Sequence, residues 1–119
     1  TSCAQKMSFQ TSSVVPAAQG NVKVKKDNNN NYHIDLSIKR LADPSRLSPA
    51  KNVYVVWMNS AGNVAKNIGQ IKTSSGILSN TLKSSLNTVS TNKPTDFFIT
   101  AENDSNIEYP SGEVVLRTQ

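Results

Sequence analysis

One histidine, one cysteine and eight acidic residues are the groups of this 119-residue chain best suited to acid-base or metal chemistry. Strand alternation sets His33 beside Asp35 on a polar face, the placement of an ordinary surface histidine rather than of a general base. A structural zinc site wants four Cys or His ligands and a blue-copper site two histidines, so both are excluded by count. Ser48-Pro49-Ala50-Lys51 has the S-x-x-K spacing, but that device needs a helix, and Pro49 sits in a loop. No cofactor is expected, and the chain reads as a non-enzyme.

The acidic stretch is the remaining candidate for a metal. Glu102, Asp104, Asn106, Glu108 and Glu113 fall at positions 1, 3, 5, 7 and 12 of a calcium-loop template, but Ile107 occupies the place of the obligatory glycine. An EF-hand is therefore rejected. A looser oxygen-rich calcium site on Glu102, Asp104 and Glu108 stays as an alternative, as does a carbohydrate-binding role for the loop 102–113.

Thr1-Ser2-Cys3 places small residues before a cysteine, as in the box processed in bacterial lipoproteins. Cys3 is thus the expected lipid anchor, residues 1–5 a tether, and 6–119 a single extracytoplasmic domain in the periplasm or at the outer membrane. Membrane contact is expected through that anchor alone, since no apolar run approaches the ~18–20 residues of a spanning helix.

The elements that would hold these groups are strands. Ser, Thr and Asn make up 39 of the 119 residues; they compete with helix backbone and favour turns. Period-two alternation predicts strands over 6–11, 21–26, 32–40, 52–59, 64–72, 77–83, 95–102 and 113–118, with 84–92 a short turn around Leu86 and Val89. The Asp27-Asn31 run suits a hairpin turn, Pro44 and Pro49 mark a connection, and Gly69 a bulge or close contact. Seven or eight strands at this spacing predict an all-β fold: a two-sheet antiparallel sandwich, an immunoglobulin-like Greek key.

Strand 52–59 is apolar on both faces, with Val53, Val55 and Trp57 on one and Tyr54, Val56 and Met58 on the other. It is either central and covered on both sides, or half-buried with an outer surface awaiting a partner. Trp57 on a middle strand fits an immunoglobulin-like interior and is expected inside. Tyr54, Val56, Trp57 and Met58 together form the candidate interaction face, and negligible exposure there would remove its support.

The net charge of +5 lies wholly in residues 1–51, whereas residues 96–113 hold five acids and no base. Ten lysines against three arginines, with few aromatics, do not make a nucleic-acid surface.

Several blocks between Ser8 and Leu116 carry a resemblance. They are Gly20-Asn21-Val22-Lys23-Val24, Tyr54-Val55-Val56-Trp57-Met58 and Ile68-Gly69-Gln70-Ile71, followed by Phe98-Ile99-Thr100-Ala101-Glu102 and Tyr109-Pro110-Ser111-Gly112-Glu113-Val114-Val115-Leu116. In this order they resemble the C-terminal extracytoplasmic domain of anti-sigma-K factors. The family usually shows a glycine-rich stretch after the glutamate, where this chain has Asn103-Asp104-Ser105-Asn106. The resemblance implies a periplasmic β-sandwich and transfers no functional residue. The expected function is a lipid-anchored envelope domain binding a protein or peptide, with envelope signalling or anti-sigma-like regulation as its setting.

Overall fold

Period-two alternation becomes eight strands in the computed structural model, which describes residues 4–74 and 83–118. They are β1 (Ala4–Ser8), β2 (Gln19–Lys26), β3 (Tyr32–Lys39), β4 (Val53–Ser60), β5 (Asn63–Ser74), β6 (Lys83–Ser90), β7 (Pro94–Glu102) and β8 (Val114–Arg117). All ladders are antiparallel, in the order β1-β2-β3-β6-β5-β4-β7-β8. The long β5 belongs to two layers: its first part pairs with β4, and Lys72, Thr73 and Ser74 pair with β6.

Two four-stranded sheets result, and they pack face to face: β1-β2-β3-β6 in one and β5-β4-β7-β8 in the other, with the end of β5 running on to pair with β6. The links from β3 to β4 and from β6 to β7 cross between layers, which is the Greek key. At the far margin Phe9 bridges Thr118, and the Gln10 amide donates to the Arg117 carbonyl, so β1 and β8 nearly close the ring.

The interior is built from alternate side chains. Val22 and Val24, then Ile34, Leu36 and Ile38, face Tyr54, Val56 and Met58 with Phe97, Ile99 and Leu116. The connection after β3 closes one end: Leu41 is fully buried, and the Tyr54 hydroxyl donates to the Ala42 carbonyl at 2.6 Å. Burial, with the Asp43 carboxylate nearby, pushes that phenol up to about 12. Asp43 caps the 3-10 turn Pro44–Arg46 through the Ser45 amide.

Some expected boundaries shift. Residues 84–92 are not a turn: β6 runs through Ser90, in full register with β3. β1 begins at Ala4, so Ala4 and Gln5, read as tether, pair with Lys25 and Val24. The strand expected over 77–83 falls almost wholly outside the described residues, as does Cys3. Gly69 does mark a bulge. Its partner is Val56, but the next β4 residue, Trp57, pairs with Asn67, leaving Ile68 extra.

Candidate functional site

Trp57 lies on the side opposite to the one expected. Because Tyr54, Val56 and Met58 take the inter-sheet side, parity turns Val53, Val55 and Trp57 to the outer face of the β4-β7-β8 sheet. Trp57 is still fully buried there, stacked on Phe98 with ring centroids 6.2 Å apart and planes 15° off parallel. The Arg117 guanidinium lies over the other ring, 5.0 Å from the Phe98 centroid. Ile107, from the acidic loop between β7 and β8, packs against this second cluster.

The doubly apolar strand is therefore central, and its outer cover is the chain's own loop. Tyr54, Val56, Trp57 and Met58 are each at most 1% exposed, so the candidate interaction face is closed to a partner. The two faces were combined in that set, and each is already packed.

A polar chain ties the loop down. The Trp57 indole N–H donates to Thr100 Oγ1 at 2.8 Å, and the Thr100 hydroxyl donates to Glu102 Oε2 at 2.5 Å. Glu102, 2% exposed, also accepts from the Gly112 amide at 2.9 Å and the Ser111 amide at 3.2 Å, while Oε1 takes the Ser111 hydroxyl at 2.8 Å. Burial alone would raise this carboxyl, but the bonds from Thr100, Gly112 and Ser111 outweigh it and hold the group below its ordinary 4.5. Gly112 sits so close that a Cβ there would lie 1.8 Å from the Ala101 carbonyl oxygen. Asn67 of β5 adds donors to the Ser105 and Ile107 carbonyls.

This arrangement bears on the calcium alternative. Glu102 is engaged by hydroxyl and amide donors, Asp104 accepts from the Asn106 amide, and Glu108 is exposed. Among the described residues no three acidic, His or Cys side chains gather at a metal-sized site. His33 and Asp35 do share the polar face of β3, and the His33 Nε2 lies 2.8 Å from Asp27 Oδ2. Asp27 is chiefly occupied in shaping the hairpin turn. The Asn31 amide, the His33 contact and the Asn29 amide together hold its carboxyl below the usual range. The shallow depression beside them is lined by Lys25, Lys26, Asp27, Asn28 and His33, with no hydroxyl.

The surface feature most open to a partner lies at the outer edge of β5. Among the described residues, 63–70 pair as a strand only with β4, because the contact with β6 begins at Lys72. Around this edge runs a groove of about 460 Å³ whose walls include Val64, Ala65, Ile107 and Tyr109, with Lys66 and Glu108 at its rim. Val64 is 78% exposed and Tyr109 69%, the two most exposed large apolar side chains described. In the sequence only turn chemistry marks the two, Val64 following a Gly-Asn turn and Tyr109 preceding Pro110.

Fold and site thus define a class: an immunoglobulin-like β-sandwich with one sheet covered by its own loop and one strand edge left open. Comparison with known protein families, with curated proteins and with solved structures returns no match to this chain.

Proposed function

We propose that this chain is a non-enzymatic cell-envelope domain, anchored through Cys3, that binds a protein partner by accepting an extended segment along the β5 edge. The observation that carries this reading is the open edge 63–70 with the exposed Val64 and Tyr109 beside it. An unpaired strand edge supplies a row of backbone donors and acceptors, and a neighbouring apolar groove reads alternate side chains of the added strand. The resemblance to the anti-sigma-K C-terminal domain suits an envelope location, with signalling or anti-sigma-like regulation as the setting.

The test is selection of binders from a random peptide library on the purified domain, followed by amide chemical-shift mapping. Retained peptides should carry alternating apolar residues, perturb the amides of 63–70, and lose about tenfold in affinity with Val64→Asp, the size of one well-buried apolar contact. Peptides that perturb other strands, or a library that yields no binders, would overturn the proposal.

A further inference from the structure

The charge asymmetry seen along the chain becomes an asymmetry between the two broad faces. Lys6 of β1, Lys23 and Lys25 of β2 and Lys39 of β3 all project from the outer face of the β1-β2-β3-β6 sheet, and each is exposed. Against these four cations the described side chains of that face offer Asp35, with Asp27 at its margin already bound to His33. Between them stand small neutral groups such as Ser8, Ser37, Ser85 and Asn87. The acids gather on the other side: Asp104, Glu108 and Glu113, all exposed, belong to the loop that covers the opposite sheet.

Register adds a second observation. Lys6 and Lys23 are directly opposed partners in one ladder and Lys23 faces Asp35 in the next, so the two lysines have a single acid as cross-strand neighbour. Like charges so placed are destabilising. Among the described residues the one ion pair is His33 with Asp27, and none of the four lysines takes part in it. An anionic surface would offset that repulsion.

We propose that this face rests on an anionic phospholipid bilayer, binding headgroups through Lys6, Lys23, Lys25 and Lys39. The geometry favours a planar partner, because the face is the broad side of a four-stranded sheet. It favours lipid over nucleic acid, because the described side chains of the face present no arginine fork and no Phe, Tyr or Trp ring, His33 being its one aromatic group. Clusters of about four to eight basic groups near a membrane are enough for this mode of binding, at close to a fivefold gain per lysine. The opposed acidic loop orients the molecule, pointing the β5 groove away from the headgroup plane. The contact needs neither the acyl anchor nor a peptide in the groove, so it is tested apart from both.

The experiment is co-sedimentation of the full 119-residue chain with vesicles of phosphatidylglycerol and phosphatidylcholine in equal parts, and with vesicles of phosphatidylcholine alone. The chain should bind the mixed vesicles, release them as salt is raised, and ignore the neutral ones. A Lys6→Gln, Lys23→Gln, Lys25→Gln variant should lose about a hundredfold in partitioning, following the per-lysine factor. An Arg46→Gln, Lys51→Gln, Lys93→Gln variant, equal in net charge, should keep its binding. The first variant should melt close to the parent, because it removes the Lys6–Lys23 repulsion together with the Lys23–Asp35 attraction, and Lys→Arg at the same three positions should retain binding. Equal losses in both Gln variants would reduce the effect to net charge and overturn the proposal. So would binding to neutral vesicles, or tighter binding to duplex DNA than to the mixed vesicles.

Discussion

Replacing Glu102 separates what the loop cover contributes from what the sandwich contributes. The carboxylate accepts four bonds, from Thr100, the Ser111 hydroxyl, the Ser111 amide and the Gly112 amide. Hydrogen bonds to a charged group are worth ~1.5–3 kcal/mol each but overlap when they share one acceptor, and water reaches the Ser111 end of the site. Glu102→Ala should therefore cost about 3 kcal/mol. Glu102→Gln keeps the shape and most donors but loses the charge, and should cost about 1 kcal/mol. Trp57 is the only tryptophan and lies beneath the loop, so urea unfolding followed by its fluorescence reads both stability and local cover.

Acidification supplies the sharper test. Because Glu102 is held below 4.5 in the folded state, its stabilisation is complete above that value and is lost as pH falls through the depressed folded value. The gap between parent and Glu102→Gln should thus shrink on going from neutral pH to about pH 3. Asp27 and Asp43, also depressed by turn amides and neighbouring side chains, are present in both proteins and cancel in the comparison. A Glu102→Ala variant within about 1 kcal/mol of the parent, with unshifted Trp57 emission, would refute the clamp. A gap independent of pH would refute the electrostatic account of it.

Ile107→Ser should cost about 1–2 kcal/mol and raise acrylamide quenching of Trp57 while leaving the far-ultraviolet spectrum unchanged, since one side chain of the loop covers that cluster. Tyr54→Phe should lose about 1 kcal/mol at neutral pH with the bond to Ala42. Because the Tyr54 phenol is raised from 10.0 to about 12, the parent loses stability as pH climbs through that window. The variant does not lose this term, so urea midpoints of the two proteins should converge and then cross in alkali.

Where one face of a strand meets water and the other the core, the alternation was readable. Val22 and Val24 point in and Lys23 and Lys25 out, and β3 keeps the same rhythm over Ile34, Leu36 and Ile38. The rhythm failed on β6, whose inward set includes the buried Ser84 and whose outward set includes the exposed Val89, so only pairing with β3 defines it as a strand. On β4 the two apolar faces were visible but not their order, because the groups that settle it arrive late in the chain. Thr100 supplies the acceptor for the Trp57 indole, and Ile107 is the one aliphatic residue between Glu102 and Val114. The acidic loop drew a metal reading from its ligand types; that lone isoleucine was the signal that it covers a surface.

Covering the outer face of β4 has a consequence for where partners can reach this molecule. Ordering an eleven-residue loop costs on the order of 1 kcal/mol per residue of backbone freedom, and Glu102, Asn67 and Ile107 are what offset it. The fold spends that ordering to close the one large apolar face it would otherwise present to water, so the face with the most hydrophobic sequence is the least available. Among the described residues two accessible surfaces differ in chemistry: an edge with apolar flanks at β5, and a lysine-bearing face on the opposite layer. An extended peptide suits the first because backbone groups and alternate side chains are read together. A layer of anionic headgroups suits the second because neither depth nor sequence is needed. Since the two lie on different layers of the sandwich, the proposed peptide and the proposed bilayer should bind without competing, and a groove-binding peptide should leave vesicle co-sedimentation unchanged.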